Sequence, residues 1–177
     1  MRRWFIYLIT GIVFGVFDFY YHGFLSNLMH LQTYSSLAGE ITWLVLSIGI
    51  WVVPIVPIAL YEAKISRSML RSALANSLTW SAAIVSYYLT NAVQLAFLPT
   101  RQELHFSNHS TPFFWDNWKS VIWDDIILGG MVEWIVVAVV GGFIIGFLIC
   151  FIYNRIMKTR TVQKESIEAS ETNPQNL

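Results

Sequence analysis

Four apolar stretches, each long enough to cross a bilayer, take up more than half of this 177-residue chain. The hydrocarbon core is about 30 Å thick and an α-helix rises about 1.5 Å per residue, so about 20 mostly apolar residues make a crossing. Residues 4–24, 41–61, 74–98 and 126–153 meet that length. Only 12% of the residues are charged, against about a quarter in a soluble domain, which makes lipid the expected solvent. The expected fold is an all-α membrane protein, a four-transmembrane-helix bundle over residues 1–158 with a disordered cytoplasmic tail over 159–177. The first stretch reads as a retained signal anchor. Its apolar run is too long for a cleaved leader, Asp18 and His22 interrupt it, and the nearest small-residue pair, Ser36 and Ala38, lies too far downstream.

Basic residues orient the spans. Arg2 and Arg3 precede the first, Lys64, Arg67 and Arg71 link the second to the third, and Arg155, Lys158, Arg160 and Lys164 follow the fourth. Nine of eleven lysines and arginines thus fall on one side, leaving Arg101 and Lys119 on the other. Positive charge stays inside, so both termini are expected in the cytoplasm. Trp4, Tyr7, Tyr61 and Tyr153 would mark the inner interface, and Tyr20, Tyr21 and Trp43 the outer one. Between helices three and four, residues 99–125 carry Phe113, Phe114, Trp115, Trp118 and Trp123 among charges, a composition that suits a segment lying in the outer interface. Pro54 and Pro57 each remove a backbone donor from the second span and should kink it.

Polar residues inside the spans narrow the place where function resides. Asp18 and Glu133 each cost about 2.5 kcal/mol or more at a helix centre, and residues this expensive usually face a bundle interior or a wet cavity. Gly11, Gly15, Asp18 and His22 recur on one stripe of the first span, and Asn76, Trp80, Ala83, Tyr87, Asn91 and Gln94 on one stripe of the third. On the fourth, Gly129 and Glu133 share a face, while Gly142 and Gly146 form a small-xxx-small pair on a roughly opposite one, suited to another helix. That would give the fourth span neighbours on two sides, one of them a candidate second subunit. Counted from the outer ends, Asp18, Ser47, Asn91 and Glu133 fall at about 10 Å depth, one from each span. Together with His22 and Gln94 they form a candidate ligand-binding layer. The competing reading makes these residues interhelical glue.

The outer side is also acidic and histidine-rich, holding His22, His30, His105, His109 and seven of the eleven acidic residues. Such a mouth attracts cations, amines or protons. His105 and His109 lack a metal-site pattern, so no metal is expected, and no motif calls for a cofactor. Asn108-His109-Ser110 is a glycosylation sequon on the expected outer side. Cys150, the lone cysteine, excludes an internal disulfide and reads as a small buried apolar residue. Zero formal net charge gives no attraction for nucleic acid. The sequence therefore points to a multi-pass protein of the cell membrane handling a small solute or cation as a transport subunit. Four spans are few for a lone carrier, so a homo-oligomer or a larger membrane complex is expected. The alternative is a non-catalytic assembly, immunity or sensor module acting through helix–helix contacts. An outward-facing enzyme using Asp18, His22 and Glu133 has neither a nucleophile nor a metal site to support it.

Overall fold

A computed structural model describes residues 2–30, 37–97 and 114–171, and every regular element among them is helical. The elements are α1 (Arg2–His30), α2 (Leu37–Gly49), α3 (Val52–Ser66), α4 (Met69–Phe97), the short α5 (Phe114–Asn117), a π-helical segment (Trp118–Gly129) and α6 (Gly130–Glu171). Three stretches are long and apolar enough to cross a membrane: Arg2–Leu28, Leu37–Ser66 and Phe114–Gln163. Their outward surface is greasy, with Phe5, Val13, Phe17, Leu44, Val53, Val136 and Ile144 all exposed. His105, His109, Asn108 and the last six residues lie outside the described residues.

α4 equals α1 in length at 29 residues but is not among those three, because small and polar side chains replace much of its grease. Its position explains the composition. α4 is the centre of the bundle, packed along its length against α1 on one side and α6 on another, with α3 covering a third. Serines, alanines and a threonine line its buried surface, among them Ser72, Ala73, Ala75, Ser77, Thr79, Ala82, Ala83 and Ser86. The glycines of the neighbours complete the fit. A Cβ on Gly11 or Gly15 of α1 would collide with the carbonyls of Thr79 and Ala83, and one on Gly146 of α6 would stand 2.6 Å from the Ser72 oxygen. Gly142 lies against the Ser77 backbone in the same way. The α6 glycine face thus packs on a helix of its own chain, so it is not the surface left open for a second subunit.

Three serines of α4 reach out to three different helices. Ser72 Oγ donates to the Ala59 carbonyl on α3 at 3.0 Å, Ser77 Oγ to Val139 on α6 at 2.9 Å and Ser86 Oγ to Ile12 on α1 at 2.9 Å. A hydroxyl facing lipid can bond back to its own helix, as Thr10 does to the Ile6 carbonyl, whereas each of these serines meets a carbonyl across a close interface.

The second apolar stretch is broken. Pro54 has no N–H for the Ile50 carbonyl, and the chain passes from α2 to α3 through three-residue bonds, Trp51 N–H to Ile48 and Val53 N–H to Ile50. From α3 to α4 the chain reverses through two residues only. Arg67 takes the left-handed conformation at φ 51° and donates to the Ala63 carbonyl, while Ser68 Oγ accepts the Arg71 N–H at 3.4 Å.

Residues 159–171 continue α6 as helix to Glu171. Residues 114–129 are helical and fold against the end of α4, with Phe114, Ile122 and Ile127 buried and Ile122 and Ile127 packed on Ala92 beside Tyr88 and Leu95. Asp124 and Asp125 accordingly sit inside a continuous helical run, not at its first turn.

Candidate functional site

α1 and α4 run parallel, and α3 and α6 run antiparallel to both, so the basic residues Arg3, Lys64, Arg67, Arg71 and Arg155 gather at one end of the bundle. The other end carries His22, Asp116, Asp124, Asp125 and Glu133. Toward that second end, about 22 Å along α1 from Arg3 at 1.5 Å per residue, lies Asp18. It is 1% exposed, and its Oδ1 has no hydrogen-bond partner among the described residues.

Three elements meet around this carboxylate. α1 supplies His22 one turn on, whose Nδ1 lies 3.1 Å from the Asp18 carbonyl oxygen and 3.2 Å from Oδ1. The carbonyl contact has hydrogen-bonding geometry and the carboxylate contact does not, which is why Oδ1 stands near an imidazole yet remains unsatisfied. α4 supplies Tyr87, in edge contact with both His22 and Phe19. α2 supplies Ser47. Two contacts set the antiparallel register of α1 against α2 and the helix break: Phe14 on Trp51 at 5.1 Å, and the Tyr21 hydroxyl donating to the Leu46 carbonyl at 3.4 Å. That register puts Ser47 level with Asp18. Ser47 is the only side chain α2 buries, and its hydroxyl also lacks a partner among the described residues. A helix that hides one residue, and hides a polar one without a partner, is organised around a polar interior at that level. Beneath this pair the rings of Phe14, Trp51 and Trp80 close the bundle interior.

The remaining members of the expected layer go elsewhere. Asn91 and Gln94 are half-buried nearer the far end of α4. Gln94 lines a groove of about 580 Å³ along the α1–α4 seam, walled mainly by Leu8, Ile12, Val85, Leu89 and Val93, and Asp18 is not part of it. Glu133 has nearly the depth of Asp18 but lies on α6, across α4 from α1, and its side chain is exposed. The two carboxylates that share a depth are therefore held apart by the central helix. A count along the sequence measures depth well and says nothing about which side of a third helix a residue will face.

One buried ionisable group escaped the sequence reading because it lies just past the nominal end of the second span. Glu62 is 2% exposed; the Tyr7 hydroxyl donates to its Oε2 at 2.5 Å, and Arg3 Nη1 stands 3.3 Å from the same oxygen. Arg3 and Tyr7 are one turn apart on α1, a spacing that offers two donors to a single acceptor and was the available signal. Nearby, Asn154 Nδ2 donates to the Arg67 carbonyl at 3.3 Å and tethers α6 to the turn. This end of the bundle is a satisfied lock. Asn76, fully buried on α4, has no partner for either side-chain polar atom among the described residues. Among the described residues no group of three or more histidines, cysteines, aspartates or glutamates stands together as a metal site. No protein-family model, curated protein or solved structure shows significant similarity to this chain.

Proposed function

We propose that this chain is a four-span protein of the cell membrane with both termini in the cytoplasm, and that it handles a small cation at Asp18 as a membrane transport subunit. α4 is the third crossing in this reading, added to the three apolar stretches. Its polarity, which sets it apart from the other three, is spent inside the bundle on the serine bonds and the glycine seams. The basic end faces the cytoplasm by the positive-inside rule.

One observation carries the functional reading: a carboxylate 1% exposed has an unsatisfied oxygen, level with a buried hydroxyl that is also unsatisfied. Buried polar groups are ordinarily hydrogen-bonded, and a carboxylate inside a lipid-solvated bundle whose Oδ1 accepts no hydrogen bond and has only the His22 ring at 3.2 Å suits a positive ligand. A thermal-shift series on purified protein with alkali cations, small amines and varied pH tests this. A ligand at a hundred times its Kd stabilises by about 2.7 kcal/mol. Asp18→Asn should abolish that response while Glu133→Gln retains it.

A second reading is favoured by Glu133 itself. It stands exposed between Val132 and Trp134, with Val136 and Val137 one turn on, a costly group on an apolar surface. In a module that acts through helix–helix contacts, this residue would hydrogen-bond to a second chain. Loss of cross-linked species in Glu133→Gln, with no ligand response at Asp18, would select that reading over transport.

A further inference from the structure

We infer that the cation is a proton, delivered to Asp18 from the outer side through the His22 imidazole; this rests on the reading of Asp18 as the cation site. The number of donors separates the proton from a metal ion. Hard cations such as calcium and magnesium take about six oxygens or more. Among the described residues no group of three or more histidines, cysteines, aspartates or glutamates stands together here, and Asp18 is accompanied by His22 and the rings of Phe19, Tyr21 and Tyr87. One carboxylate among aromatic rings gives too few oxygens for a dehydrated hard metal ion, whereas a proton needs only the carboxylate.

The imidazole geometry supplies the route. A carbonyl oxygen can only accept, so the 3.1 Å contact to the Asp18 carbonyl requires the proton on His22 Nδ1. The same Nδ1–H lies 3.2 Å from Oδ1, and the His22 side chain is 25% exposed while that of Asp18 is 2% exposed. The ring therefore spans from the outer surface to the buried acid. In the transfer, Nε2 takes a proton from outer water, the ring turns its Nδ1–H from the Asp18 carbonyl to the carboxylate 3.2 Å away, and that proton passes to Oδ1. The imidazole ends neutral with its proton on Nε2, and the carboxylate becomes a neutral acid. Exchange of the ring proton with water, or rotation of the ring, restores the starting tautomer. The titratable groups facing this point are His22 and Tyr21 from α1 and Tyr87 from α4, and the residue α2 presents there is Ser47, which does not titrate. Tyr88 faces the Gly130 side of α4, and Glu133 lies beyond it on α6.

Infrared titration of the full chain in lipid nanodiscs tests the proposal, with aspartate carboxyls isotope-edited so that assignment does not depend on a variant that folds poorly. The expected result is a protonated-acid band that is lost in Asp18→Asn and keeps its midpoint in sodium, potassium and choline salts. After a pH jump the band should form about a hundredfold more slowly in His22→Ala, with imidazole in the buffer restoring the rate. A midpoint that falls by about one pH unit for each tenfold rise in sodium or potassium would identify a competing metal cation, overturning the proton while leaving Asp18 as the cation site. An unchanged rate in His22→Ala would overturn the relay. An Asp18 carboxyl that neither titrates separately nor responds to any cation would overturn the reading beneath it.

Discussion

Tyr7 and Glu62 set the terms at the residue scale. A carboxylate buried in an apolar bundle is tolerable when its lone pairs are used, and here a tyrosine hydroxyl at 2.5 Å and an arginine at 3.3 Å use them. Tyr7→Phe removes the shorter bond and leaves the acid to the half-exposed Arg3. We expect a loss of about 1–3 kcal/mol, read by thermal unfolding in detergent, against almost none for Tyr61→Phe on the exposed face. Equal effects of the two changes would show that Glu62 does not depend on the Tyr7 hydroxyl. Asp18 differs in kind, since its Oδ1 has no such partner. Asp18→Asn should therefore leave the bundle as stable as the parent, or more so, because a costly charge has gone while the shape is kept. A large destabilisation by Asp18→Asn would count against an unfilled site.

At the scale of elements, the bundle is organised by α4 and the glycines that approach it. Gly15→Ala places a methyl against the Ala83 carbonyl, and backbone cannot yield as a flexible side chain would. Overpacking of this sort costs about 1–3 kcal/mol. Gly23→Ala is the matched contrast, since a methyl there meets nothing within 4 Å. It should stabilise α1 by about 0.5–1 kcal/mol through helix propensity. Denaturation of the two variants side by side should give opposite signs; the same sign would mean that α1 does not lie on α4 as described. The serine bonds are smaller and distributed. Ser72→Ala, Ser77→Ala and Ser86→Ala should each lower stability by about 0.6 kcal/mol, and the triple variant by about the sum, because their partners lie on three separate helices. The α2–α3 break is the element most open to change, since α2 buries a single side chain above it.

For the whole molecule, the four-span reading predicts that a reporter fused at Thr159 lies in the cytoplasm and one inserted near Asn108 lies outside. Reversed readouts, with Asn108 inside and Thr159 outside, would remove α4 as a crossing, and the same readout from both would remove α6. What the sequence determined alone was the set of properties that add up locally: helices throughout, spans long enough for lipid, charge collected at one end, and a proline break in the second stretch. Each depends on neighbours within a few turns, so each is legible residue by residue. The glycine spacing on α1 and α6 was equally visible, but its partner was not. Gly142 and Gly146 suited any helix with a small-residue face, and only the packed chain could show that α4 takes both glycine seams. The polar layer was divided for the same reason. Asp18 and Glu133 have nearly one depth because depth counts along an axis, yet one is buried and the other exposed, since helix rotation about that axis is chosen by packing. The depth of Ser47 was countable along its own span, but that α2 buries this residue alone, and leaves its hydroxyl without a partner among the described residues, was decided by packing. Glu62, just past the nominal end of the second span, is a buried acid because α1 lays Arg3 and Tyr7 over it. Periodicity and composition decide which surface a helix offers; which neighbour covers it is decided by competition among all the helices for the closest fit.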